Sequence, residues 1–173
     1  SYHVRRGETL GIVGESGSGK SVTALSLMRL VPSPPGSIVG GEVELGGRNL
    51  LELSESDMTE VRGGEISMIL QDPMQALNPV FSIENQVGEA IKIHQDLKGD
   101  ALWNKVVDSL RKVRIPAPES RAKDFPHQLS GGMRQRVVGA IGISSAPAVI
   151  IADEPTTSLD VTIQAAYLRL LRQ

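Results

Sequence analysis

The apolar residues change period several times along the chain, and each change marks an element. Thr9–Val13 (T-L-G-I-V) is apolar and β-branched and predicts a buried strand; Val22–Leu30 carries Leu25, Met28 and Leu30 at helical spacing and predicts a helix. Pro32, Pro34, Pro35 and Gly36 stop that helix. Glu42–Leu45 and Arg48–Leu51 flank Gly46-Gly47, which predicts a hairpin. Ser54 with Asp57 three residues later opens a short helix to about Val61. Ile66–Leu70 reads as a short strand delivering Gln71 at its end, and Asp72–Pro79 as a loop with two prolines. Ile83–His94 and Ala101–Val113 read as helices; in the second, Leu102, Val106, Leu110 and Val113 share one face, with Val107 beside it. Pro116, Pro118 and Pro126 break the stretch after that helix. A further helix runs from near Ser130 to about Ser144, with Gly139 and Gly142 each weakening it by about 1 kcal/mol relative to alanine. Ala148–Ala152 is a buried strand, and a last helix starts near Asp160. Strands alternating with helices make the fold class α/β.

The turn between the first strand and helix carries the most chemistry. Gly14–Ser21 reads G-E-S-G-S-G-K-S, the phosphate-cradling pattern G-x-x-x-x-G-K-[ST], and its strand-before, helix-after context is right. Gly14, Glu15, Ser16, Gly17, Ser18, Gly19, Lys20, Ser21 and Val22 form the expected nucleotide contact: bare backbone N–H groups at a helix start, with Lys20 reaching the terminal phosphates and Ser21 on Mg²⁺. Ala148–Glu154 (A-V-I-I-A-D-E) ends a strand in two carboxylates. At the edge of an open sheet such an end brings the acid to the phosphate loop, so Asp153 is the expected Mg²⁺ partner and Glu154 the group that polarises the attacking water. The alternative is a solvated strand-end turn. Leu129–Arg136 (L-S-G-G-M-R-Q-R) offers a second anion site: Ser130 caps a helix, and Gly131 and Gly132 leave backbone N–H groups bare. One γ-phosphate does not need two such sites from one chain, so Ser130, Gly131 and Gly132 are expected to clamp a nucleotide held by another subunit; an ordinary Ser-Gly-Gly turn is the alternative. Gln71 is a candidate contact of Mg²⁺ or the lytic water, or a plain loop residue. His3, His94 and His127 read as structural or solvated.

Bulk properties narrow the classes. The 173 residues suit one domain, or one with an inserted subdomain. A net charge of −2 and 3% aromatics give no case for nucleic acid or anionic lipid. Zero cysteines exclude disulfides and thiolate chemistry. The longest apolar run, Ala148–Ala152, is far short of the roughly 20 residues of a membrane span, and no signal peptide is visible. The start Ser-Tyr-His-Val, without an initiator Met, reads as a piece of a longer protein.

Together these segments resemble an ABC-transporter ATPase subunit. Gly14–Ser21 matches the Walker A motif, Gln71 the Q-loop, Leu129–Met133 the signature, Val149–Glu154 the Walker B motif and Ser158–Asp160 the D-loop, in the family's order. The wording Q-D-P-M-x-x-L-N-P and A-D-E-P-T-T-x-L-D-V-T is similar to the dipeptide, oligopeptide and nickel importer group. The resemblance implies a P-loop NTPase (RecA-like) core with a mainly parallel sheet and a small antiparallel hairpin, over residues 1–81 and 128–173. A helical subdomain of ABC type is inserted at 82–127. It implies ATP and Mg²⁺ as ligands, with Glu154, Gln71 and Lys20 catalytic, Ser21, Gln71 and Asp153 on the metal, and Asp160 at the nucleotide. It implies a second ABC ATPase subunit as homo- or heterodimer partner, two membrane permease subunits, an indirect substrate-binding protein, no nucleic acid, and a place on the cytoplasmic face of a bacterial or archaeal inner membrane. A soluble ABC ATPase without a membrane partner, or a nucleotide-binding module without turnover, are the other readings. A P-loop kinase does not fit the Ser-Gly-Gly motif and the paired Asp153-Glu154. The departures are few. The family's adenine-stacking aromatic lies upstream of Walker A and Tyr2 reads as a strand residue instead; the family's switch histidine has no counterpart after Glu154; Met133 replaces the commoner Gln.

Overall fold

A computed structural model describes residues 1–156, 159 and 161–171. They form two compact units, 1–59 and 60–171.

In the first unit the turn after Gly19 starts α1 (Lys20–Leu27), and Met28 closes it, buried. The hairpin pairs β1 (Glu44–Leu45) antiparallel with β2 (Arg48–Asn49), with Leu45 opposite Arg48. Gly46 (φ 57°) and Gly47 (φ 78°) are both left-handed, as a two-residue turn with the right twist requires. Ser54 caps α2 (Glu55–Gly64): its Oγ accepts the Asp57 N–H at 3.1 Å and donates to the Asp57 carboxylate at 2.7 Å. Two sequence expectations fail here, and the first is Tyr2, which lies in no strand. Thr9–Val13 is not a strand; Val13 is 97% exposed and Ile12 52%. A parallel strand exists only through its ladders, and among the described residues the two sheets hold only the hairpin strands and the pair β3 and β4 of the second unit.

In the second unit β3 (Ile66–Ile69) lies parallel to β4 (Val149–Ala152), from Ile66 opposite Val149 to Ile69 opposite Ala152. The sequence expected a buried strand over 148–152, but β4 is only half-buried and Ala148 and Ala152 are exposed. The proline loop after β3 contains a turn of helix, α3 (Pro73–Ala76), which the sequence reading missed: Pro73 pre-sets the first helical φ and Asp72 caps it by accepting the Met74 N–H at 2.8 Å. Helices α4 (Ile83–Gln95) and α5 (Gly99–Lys112) come next. The apolar face of α5 packs as its spacing predicts, with Val106, Val107 and Leu110 buried and Val113 buried just beyond. A four-residue α6 (Pro118–Arg121) sits in the region read as broken, again opened by a proline. The long α7 (Gly131–Ser144) runs uninterrupted, buried on several sides, and α8 (Val161–Leu171) ends the described chain. One core joins Ile69, Leu77, Ile83, Val87, Ile91, Val106, Leu110, Val137, Val138 and Tyr167.

The glycines of α7 are packing notches. A Cβ on Gly142 would lie 3.0 Å from Ile69 Cγ1 of β3, and one on Gly139 would collide with the phenol of Tyr167 on α8. Burial also pushes the Tyr167 phenol well above its usual range.

Candidate functional site

The phosphate loop is built by backbone conformation. Gly17 (φ 81°) and Gly19 (φ 91°) are left-handed, and a Cβ on Gly14 would sit 2.6 Å from Ser18 Oγ. Gly17 and Gly19 are therefore required by φ, while a Cβ on Gly14 would make the Ser18 hydroxyl turn aside. Gly19 is the N-cap of α1 and has no side chain to occupy the helix N–H groups, so Lys20, Ser21 and Val22 open the helix uncapped. The Lys20 ammonium folds back over the loop, donating to the carbonyls of Gly14 (2.7 Å) and Glu15 (3.0 Å). Glu15, Ser16, Ser18 and Ser21 are exposed. Bare N–H groups, an ammonium and a hydroxyl suit a polyphosphate with its cation.

The second group is set by sheet register. Asp153 continues β4: its N–H donates to Ile69 O at 3.0 Å and its side chain is half-buried. The paired strands carry a constant offset, and Gln71 and Glu154 share it, 83 residues apart, two steps past the ladder's end. They meet: Gln71 Nε2 donates to Glu154 Oε2 at 2.7 Å. Glu154 has a φ of 46°, left-handed for a residue with a Cβ, which costs about 1–2 kcal/mol. Such a conformation persists where its surroundings enforce it. No local sequence signal marks this backbone state. The oxygens of Asp153 and Gln71 are hard ligands of the kind Mg²⁺ takes, and the Ser21 hydroxyl of the first unit is of the same kind.

The third group opens α7. Ser130 Oγ accepts the Met133 N–H at 3.3 Å, and the Ser130 carbonyl accepts the Arg134 N–H at 2.9 Å. The hydroxyl still has its proton to donate outward. A Cβ on Gly131 would meet nothing within 4 Å, so the turn faces open space. The sequence reading passed over Arg136. Its guanidinium donates to Gly132 O at 3.2 Å, to Val113 O at 3.5 Å and to Arg114 O, tying the Ser-Gly-Gly turn to the carbonyl end of α5. The available signal was its place four residues after Gly132. Asp160, expected at the nucleotide, lies outside the described residues, as does Ser158. Of the histidines, His127 stacks on Phe125 with centroids 5.8 Å apart, and His94 packs on Gly63, where a Cβ would lie 2.5 Å from its Nε2.

The family model described as ABC transporter matches residues 1–157. The chain is 55% identical over 171 residues to a probable peptide ABC transporter ATP-binding protein, y4tR, of Sinorhizobium fredii, covering 99% of this chain and 51% of that protein. It is 51% identical over 172 residues to the oligopeptide transport ATP-binding protein OppD of Bacillus subtilis, covering 99% and 48%. It is 51% identical over 177 residues to the glutathione import ATP-binding protein GsiA of Salmonella typhimurium, covering 99% and 28%. The chain thus spans about half the length, or less, of these curated relatives. Among solved structures it resembles a dimeric post-hydrolysis state of the ATP-binding cassette MJ0796 bound to ADP and Pi, with a TM-score of 0.86 at 27% identity, over 98% of this chain and 70% of that one.

Proposed function

We propose a function for this chain, which belongs to the ABC transporter family: it binds and hydrolyses MgATP to power the import of peptides or related cargo. The observation that carries this is the phosphate loop, whose left-handed Gly17 and Gly19 only glycine adopts readily and whose Lys20 ammonium is held at the loop. Backbone N–H groups from Gly17 to Val22 and the Lys20 ammonium hold the phosphates. Ser21, Asp153 and Gln71 would hold Mg²⁺, which when bound would neutralise phosphate charge. Glu154 accepts the proton of the attacking water. Ser130, Gly131 and Gly132 bind the γ-phosphate on a partner ATPase, with Asp160 also at that nucleotide. Catalysis in this arrangement is mostly positioning and charge stabilisation.

The helical subdomain is assigned to 82–127, inserted into a core of 1–81 and 128–173. In support, the segment closes on itself: the N–H groups of Ile83 and Glu84 donate to Asp124 O (2.9 Å) and Ala122 O (2.7 Å). A second ATPase subunit, two permease subunits and an exported binding protein complete the importer, on the cytoplasmic face of the inner membrane. The names of y4tR, OppD and GsiA support peptides and glutathione as the cargo class. The test is phosphate release by the full-length protein carrying Glu154→Gln. ATP affinity stays within about 3-fold of the parent while turnover falls by roughly 10²–10⁴, the range for a removed general base. Turnover at the parental rate would remove Glu154 from the chemistry.

A further inference from the structure

The ring pair just before the Ser130 turn has no part in holding phosphate or metal. Phe125 and His127 stack with ring centroids 5.8 Å apart and planes 15° from parallel. Both stay at the surface: Phe125 is 37% exposed, and His127 is exposed too. Their turn, Pro126–Gln128, does not depend on the rings. Gln128 Oε1 accepts the Phe125 N–H at 2.7 Å. The Gln128 N–H donates to Phe125 O at 2.9 Å and the Leu129 N–H to Pro126 O at 3.2 Å. Pro126 and Leu129 are buried and anchor the stretch. The backbone, Gln128 and these two residues therefore fix the turn, and the two flat side chains are left for another use.

Their position says which use, and the argument rests on the Ser130 turn meeting the γ-phosphate of a nucleotide on a partner ATPase. The base of that nucleotide lies one triphosphate and one ribose away from Ser130. Counted back along the chain, two extended steps and the three-residue 3₁₀ turn put Phe125 about 13 Å from Ser130 at most. His127 lies within about 9 Å by the same count. That is the scale of an extended nucleoside triphosphate, so the rings lie on the arc its base can sweep. Aromatic side chains hold a base by stacking on its π-face, without reading its edges. We propose that Phe125 and His127 stack on the purine base of the nucleotide held by a partner ATPase. That nucleotide is then gripped at both ends, its γ-phosphate by the Ser130 turn and its base by the ring pair. A base has two faces, so the other face is left to the chain that holds the phosphates. No bond is made or broken by either ring.

The direct test is photolabelling. Full-length protein carrying Glu154→Gln, which keeps ATP intact, is mixed with full-length protein carrying Lys20→Ala, which lacks the phosphate-holding ammonium, in Mg²⁺ and 8-azido-ATP. Illumination is expected to label the Phe125–Gln128 stretch of the Lys20→Ala copy, and the label to vanish when that copy also carries Ser130→Glu. With a different ATPase subunit as partner, the same Lys20→Ala copy is read. A second measurement removes the rings. In the Glu154→Gln protein, Phe125→Leu with His127→Ser is expected to raise the ATP concentration for half-maximal dimerisation about 5-fold or more. The value for ribose 5′-triphosphate, which has no base, is expected to change less than about 2-fold. A merely structural pair would move both values together. Equal shifts for the two triphosphates, or label confined to the nucleotide-holding copy of a formed dimer, would overturn the role of the rings. Unchanged dimerisation with lost permease assembly would make the pair a permease contact and equally overturn it. The absence of any dimer, with a second copy or a different ATPase subunit, would instead remove the partner reading itself, so the two failures are distinguishable.

Discussion

Gly139 shows how a single residue can obey one rule and break another. On helix propensity alone it is a weakness in α7, and replacing it with alanine should gain about 1 kcal/mol. The structure reverses the sign, because the added Cβ would land on the phenol of Tyr167, itself only 3% exposed. Forcing a methyl into a filled core costs about 1–3 kcal/mol, so the clash outweighs the propensity. Gly139→Ala is therefore expected to lower the urea midpoint of unfolding, and Gly139→Ala combined with Tyr167→Leu to recover most of the loss, since the double change opens the space the methyl needs. A stabilised Gly139→Ala would mean that α8 moves aside freely. The same residue explains one gap in the sequence reading: a glycine in a helix reads as a fault until the element facing it is known, and Tyr167 lies 28 positions downstream on another helix.

At the scale of elements, α4 depends on borrowed partners at its start. Ser82 Oγ accepts the Asn85 N–H at 3.4 Å, and carbonyls from 122 and 124 accept the N–H groups of Glu84 and Ile83. The Ser82 bond is long, so Ser82→Ala is expected to cost about 0.5–1 kcal/mol, the low end of the N-cap range. Ser82→Gly should cost only a few tenths of that unit, and both are measurable as urea midpoints. A loss of several kcal/mol would show that Ser82 does more than cap. Elements with their own local code were legible: the Gly46-Gly47 hairpin, the Ser54 and Ser130 caps, the amphipathic α5 and the two strands β3 and β4 all stand where the patterns put them. Short elements opened by proline, α3 and α6, were missed because proline was weighted as a breaker and not as a first helical residue. Thr9–Val13 failed for a different reason: its composition states what the strand prefers, but a strand is a property of pairs. At the site, the phosphate loop was legible because its constraints lie within eight consecutive residues. The Gln71–Glu154 pair was not, because it depends on the register of two strands far apart in sequence.

At the scale of the whole molecule, the chain carries two turns suited to phosphate, Gly14–Ser21 and Ser130–Gly132, and each is furnished independently. The first has its own ammonium, and the second its own cap and the Arg136 tie to α5. One triphosphate is served fully by the first. The second, open turn fits the proposed second ATPase subunit, whose nucleotide it would meet. Two copies arranged so that each Ser130 turn meets the other's nucleotide make a closed two-fold pair. In such a pair ATP itself is part of the interface, so assembly tracks nucleotide occupancy by mass action. Full-length protein carrying Glu154→Gln, which keeps ATP intact, is therefore expected to double its mass in light scattering when MgATP is added and to return to monomer when ATP is removed. Adding Ser130→Glu, which sets a carboxylate against the γ-phosphate, should leave ATP binding within about 3-fold while abolishing the doubling. If the doubling occurs only with a different ATPase subunit present, the natural pair is a heterodimer built on the same two turns. A Glu154→Gln protein that binds MgATP yet stays monomeric with either kind of partner would leave the Ser130 turn as nothing more than a helix cap.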